Sequence, residues 1–160
     1  MVRTERLNPT GLDWRNFLVA ADGGQVLGAV QMRKHPDGSR ELGSLVVANA
    51  ARGQGIATRL IDVLLSGDCG RVQMITDGAF ALRYARWGFR RIAPRAASRK
   101  VRLNYRIGRA AIVISLLKRR PLRRLVILDR AARALKPSGG GNSEEGNPAS
   151  AKSAGIQIAI

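Results

Sequence analysis

The chain has 160 residues, 28 of them Lys or Arg against 11 Asp or Glu, giving a formal net charge of +17 and a sequence pI near 11.7. That length admits one domain, a hydrophobic fraction of 45% excludes wholesale disorder, and the lone Cys69, with no Cys/His cluster, excludes an internal disulfide or a structural metal. The longest apolar run, 110–117 with one serine, is far short of the roughly 20 residues of a membrane span, and the opening MVRTERLNPT lacks a secretory apolar stretch, so a soluble cytoplasmic protein is expected.

Two apolar runs, 16–21 and 25–32, flank Asp22-Gly23-Gly24 and predict a hairpin. The turn His35-Pro36-Asp37-Gly38 leads to a third strand over 41–47, and three closely spaced strands imply antiparallel pairing. The period then changes. Ala57, Leu60, Ile61 and Leu64 form one helical stripe that Ser66-Gly67 would end. A short strand over 71–76 precedes a second helix with Phe80, Tyr84 and Trp87 at i, i+4 and i+7, and Gly88 stands where a left-handed cap would sit. Leu103, Ile107, Ala110, Ile114 and Leu117 form a stripe that predicts a third helix, with Arg102, Arg106 and Arg109 on another face. Leu125 to Leu128 reads as a buried closing strand, and 137–160, rich in Gly, Ser, Ala and Asn, as a flexible tail in which Ile156, Ile158 and Ile160 alternate. The expected fold is α/β: a mixed, mostly antiparallel central sheet flanked by helices, in a single domain over 1–136 whose last part, 95–136, is a basic helix and strand.

The most informative stretch runs from Val46 to Leu60: a strand, a loop with Arg52-Gly53-Gln54-Gly55, then a helix. Glycines there let backbone amides approach a ligand, and the first turn of a helix offers unpaired N–H groups suited to phosphate. No Gly-Lys-Ser/Thr follows, and the glycines do not follow the first strand of a parallel unit, which disfavours ATP hydrolysis and nicotinamide binding.

Arg52-Gly-Gln-Gly55-Ile-Ala57 resembles the Arg/Gln-x-x-Gly-x-Gly/Ala signature of the GNAT superfamily of acyl-CoA-dependent N-acyltransferases. Glu41 to Val47 is similar to that family's fourth strand, and Tyr84-Ala-Arg-Trp-Gly88-Phe89 resembles its Tyr helix followed by Gly-Phe. The resemblance covers roughly 16–93. It implies acetyl-CoA as co-substrate, its pyrophosphate on Arg52, Gly53, Gln54, Gly55, Ile56, Ala57 and Thr58, and its pantetheine arm along Leu45, Val46 and Val47 in a slot between splayed fourth and fifth strands. Asp77 stands where many members carry an Asn near CoA. The implied reaction is direct attack of an amine, with Tyr84 as general acid for the departing thiolate and Glu41 as general base, directly or through water. His35 reads as a solvated turn residue and Cys69 as a loop thiol.

Two departures from the family leave the acceptor unnamed. Only about 15 residues precede the hairpin, where relatives place a first strand and helices, so those elements are absent or lie upstream. The second is the basic segment: 95–136 holds 14 basic residues and one acidic, while 1–94 holds 13 and 8. It motivates an alternative of another class, a nucleic-acid- or ribosome-associated binding module with a degenerate or regulatory acyl-CoA site. Tyr105 is its lone aromatic residue, so contacts would be electrostatic. A membrane-surface role for the arginine-rich helix is a third reading. Monomer and homodimer are both compatible with the sequence.

Overall fold

Two tight turns set the first half of the sheet. The computed structural model describes residues 13–66, 70–116, 124–132 and 156–159, so residues 1–12, Gly67, Cys69, Leu117 and most of the expected tail lie outside the described residues, as do the side chains of 113–116. The turn at Gly23-Gly24 closes β1 (Phe17–Asp22) onto β2 (Gln25–Lys34). In the next, Gly38 donates to the His35 carbonyl at 3.0 Å and the chain returns as β3 (Arg40–Val47). There follow α1 (Ile56–Ser66), β4 (Val72–Asp77), a 3-10 helix Gly78–Trp87, β5 (Arg90–Ile92), α2 (Arg99–Leu116), β6 (Leu125–Arg130) and β7 (Gln157–Ala159). The strands form one sheet in the order β5-β6-β4-β3-β2-β1-β7, with β3 and β4 parallel and every other described pair antiparallel. This is the mixed, mostly antiparallel α/β arrangement that the patterning implies.

Each face of the sheet carries its own layer. On one side Leu18, Val30, Leu42, Val72, Met74 and Leu128 pack on Ile56, Leu60, Ile61 and Leu65 of α1. Gly28 lets α1 approach, because a Cβ there would stand 3.1 Å from both Ile56 Cγ2 and the Val46 carbonyl oxygen. On the other side Ile127 of β6 meets Ala97, just before α2, and Val101 in its first turn.

Three elements depart from the sequence reading. The Tyr84 helix is 3-10, so its inward stripe has a period of three: Ala81, Tyr84 and Trp87 pack on the core while Phe80 is exposed under the Arg83 guanidinium. The third helix is rotated. Val101, Asn104, Tyr105 and Gly108 face the sheet, and Leu103, Ile107 and Ala110 face solvent. The anchors explain the choice: Gln73 Oε1 accepts the Ser98 N–H at 2.9 Å, Asn104 reaches Glu41, and at Gly108 a Cβ would meet Leu125 at 3.0 Å. Apolar periodicity alone cannot see such anchors. Finally, Gln157–Ala159 of the expected flexible tail is a strand, paired antiparallel with Val19 to Ala21 at the sheet edge.

The close approach at Gly28 gives a direct check on this packing. Gly28→Val should lower the unfolding free energy by about 1–3 kcal/mol, since the added atoms meet backbone as well as side chains. A urea titration followed by circular dichroism measures it.

Candidate active site

β3 and β4 are hydrogen-bonded neighbours only over Arg40–Val72, Glu41–Gln73 and Leu42–Met74. Beyond that point β3 continues to Val47 on the arm of β2, and β4 continues to Asp77 on the arm of β6. The two strands therefore diverge into a V, and among the described residues the inner backbone edge of 43–47 has no strand partner. The divergence coincides with a bulge: the β2–β3 register shifts between Ala29 and Gln31, and Ser44 has φ 54°, the one positive value among described non-glycine residues.

At the open end of the V, Gly53 and Gly55 have φ of 81° and 75°, which favours glycine although nothing lies within 4 Å of either would-be Cβ. The helical bonding of α1 begins with the Arg59 N–H to the Gly55 carbonyl at 3.0 Å, so the amides of Ile56, Ala57 and Thr58 precede the first such bond. Arg52 Nε donates to the Val47 carbonyl at 3.3 Å, bracing the turn against the end of β3. Gln54 Nε2 reaches the Ala50 carbonyl at 3.5 Å, and both side chains are exposed, as is Arg59. Leu45 and Val47 lean on the α1 core, while Val46 is buried on the opposite side.

Tyr84 stands beside the other arm. Its ring packs at 6.0 Å from Trp87 and edge-on at 6.2 Å from Phe89, and its hydroxyl hydrogen-bonds with Thr76 of β4. Burial pushes its hydroxyl above the ordinary tyrosine range, more than the Thr76 bond and Arg83 lower it. The phenol is therefore protonated throughout the neutral range. Asp77 caps the Tyr84 helix, its Oδ1 accepting the Ala79 N–H at 3.1 Å, and Trp87 Nε1 donates to Asp62 of α1 at 2.6 Å. These bonds fix the helix between β4 and α1.

Glu41 departs from the strand-end carboxylate that a direct base requires. It is 3% exposed and its oxygens are engaged: Arg33 Nη1 lies 3.2 Å from Oε1, while His35 Nε2 and Asn104 Nδ2 each lie 2.9 Å from Oε2. Arg33, also buried, donates further to Gln31 Oε1 at 3.0 Å and to Ser44 Oγ at 2.8 Å. An amine cannot reach this carboxylate without breaking the network, which corrects the expectation of direct base contact. His35 is likewise no solvated turn residue, its side chain being 8% exposed. Arg33, His35, Ser44 and Asn104 escape a reading by motif. One signal was available: residues 31 and 33 share a face of β2, residue 35 continues their alternation just past its end, and a short turn sets Arg33 opposite Glu41.

The comparisons agree with this geometry. Residues 13–91 match the family profile described as the acetyltransferase (GNAT) domain. Among solved structures, N-acetylglutamate synthase from Neisseria gonorrhoeae, complexed with coenzyme A and N-acetyl-glutamate, superposes with a TM-score of 0.59 at 16% identity over 82% of this chain. The chain spans only 30% of that enzyme's length. A Mycobacterium tuberculosis protein solved in complex with CoA gives a TM-score of 0.51 at 24% identity, over 72% of this chain and 75% of the other. At these identities the likeness is one of fold. No curated protein matches the sequence.

The Arg33–Glu41 pair yields a stability test. Glu41→Gln leaves a buried guanidinium without its counter-charge and should cost about 3–5 kcal/mol, whereas the double variant Arg33→Met, Glu41→Leu should cost much less than twice that. Chemical denaturation of the wild type and the two variants measures both.

Proposed function

Residues 13–91 carry a GNAT acetyltransferase domain, and from that premise we propose that the protein transfers an acetyl group from acetyl-CoA to a primary amine of a small molecule or protein, by direct attack and without a covalent enzyme intermediate. The observation that carries the reading is the early end of β3–β4 pairing at Leu42–Met74, which opens a slot between a glycine-bearing turn and Tyr84. The residues present suit the co-substrate. The unpaired edge at Leu45, Val46 and Val47 offers amide hydrogen bonds to a pantetheine arm in the manner of an added strand. The amides from Gly53 to Thr58 suit a pyrophosphate, with Arg52 and Arg59 adding positive charge.

Each residue then has a chemical task. A backbone amide of β3 near the bulge stabilises the charge that develops on the thioester carbonyl oxygen. As the amine nitrogen bonds to carbon and the C–S bond breaks, Tyr84 gives its proton to the thiolate and recovers one from solvent. The amine, with a pKa near 10.4, must first lose a proton. With Glu41 enclosed, that proton passes to water in the slot, and Glu41 holds the floor of the site through Arg33 and Asn104. Asp77 acts through the cap of the Tyr84 helix.

Tyr84→Phe should lower kcat about 100-fold with little change in KM for acetyl-CoA, measured as free CoA released with a panel of amines and peptides. Because Tyr84 titrates above its ordinary range, the wild-type rate should show no loss from this group below about pH 10, and the variant should lack the fall above it. If acetyl-CoA binds yet no amine stimulates CoA release, the catalytic reading fails.

Gly55→Val forces a branched residue into the left-handed region at roughly 1–2 kcal/mol. It should raise KM for acetyl-CoA about tenfold while kcat at saturation changes less. Initial rates at varied acetyl-CoA separate the two.

A further inference from the structure

α2 turns Val101, Asn104, Tyr105 and Gly108 to the sheet, which leaves an outward side of unusual composition. Leu103 is 47% and Ile107 54% exposed, and with exposed Ala110 they stand at i, i+4 and i+7, forming one strip on the outward side, with Leu103 bordering a recess it shares with Pro36 and Asp37. Arg99, Arg102, Arg106 and Arg109, at i, i+3, i+7 and i+10, make a second strip along one flank, and Lys100 lies on the other. Between 95 and 112 there are six basic residues and no acidic one. Among the described residues none of these six makes an ion pair. The Asp37 carboxylate takes the Lys100 amide at 3.4 Å and is otherwise held by Ser39. Beside the strip lies an open groove of about 700 Å³ lined by Pro94, Arg95, Arg102, Tyr105, Arg106 and Arg109.

From these features we propose that the outward face of α2 docks on an anionic phospholipid surface, independently of the acyl-transfer chemistry. The two strips suit the two layers of a bilayer interface. Leu103 and Ile107 enter the acyl boundary, and the arginines reach the phosphates with apolar stems lying along the apolar strip. The basic groove receives headgroup phosphates, and the positive charge of the face meets the negative potential of the leaflet. Other occupants fit less well. A nucleic acid would use the arginines but leave Leu103 and Ile107 in water, with only the half-buried Tyr105 to stack. A two-fold contact with a second copy through this face would oppose two arginine strips.

The test uses the full chain in a sedimentation assay with vesicles of phosphatidylcholine alone and of equal parts phosphatidylcholine and phosphatidylglycerol. Binding is expected on the anionic vesicles and at least about tenfold weaker on the neutral ones. Leu103→Glu and Ile107→Glu should each weaken it about tenfold, and so should the triple change of Arg102, Arg106 and Arg109 to Gln. Unchanged thermal melting confirms that these exposed sites leave the fold intact. The proposal is overturned by no binding to anionic vesicles, by binding indifferent to both glutamate variants, or by RNA binding tighter than vesicle binding that depends on the same arginines alone. Concentration-dependent dimers abolished by Leu103→Glu would overturn it in favour of self-association.

Discussion

The parting of β3 from β4 after three residue pairs is the constraint on which the rest of the molecule depends. Two parallel strands left to themselves would go on pairing, because each unmade backbone bond costs free energy when water is excluded. Here each arm is held by an outer neighbour, β2 on one side and β6 on the other, and the bulge at Ser44 turns β3 away. The edge so exposed offers backbone groups, so the hydrogen bonds it can make do not depend on side-chain identity. The glycine turn and the Tyr84 helix then follow the two arms, each beginning where its strand ends.

The floor of that V is polar where a core would ordinarily be apolar. Arg33 and Glu41 are both buried beside the last paired residues, and Gly43 leaves room for the guanidinium, which would lie 3.0 Å from a Cβ there. A buried ion pair contributes little net stability over apolar packing, but it is intolerant of slippage, since any shift of register unpairs a desolvated charge. Around the pair, Ser44 ties in the bulge, Gln31 another residue of β2, and Asn104 the helix overhead. The network thus locks three elements in one relation at the point where the strands separate.

β1 to β4 and β6, the turns joining the first three strands and α1 were legible in the sequence because local rules govern them: alternation, turn residues and a helical stripe. The glycines at 53 and 55 were legible for the same reason, since positive φ is a property of one residue and its neighbours. What escaped was set by long-range contact. The side that α2 buries depends on Gln73, Glu41 and Leu125, which are distant in the chain. The 3-10 winding of the Tyr84 helix shifts the inward stripe from Phe80 to Ala81, a change that tertiary packing imposes. Glu41 was found by motif, but its surroundings were not, because burial belongs to the fold and not to the residue.

The placement of β7 reaches into how the molecule assembles. Ala20 sits opposite Ile158, so one edge of the sheet is closed by residues from nearly the other end of the chain. Until residue 157 has emerged during synthesis, β1 presents a free row of amides and carbonyls, the kind of template on which strands of other chains add. Contacts so far apart in sequence also form late, since the long loop must close before they reward it. β7 therefore acts as a latch: the sheet is nucleated from its hairpins and sealed last, by a three-residue strand whose arrival ends the interval in which the chain is open to its neighbours.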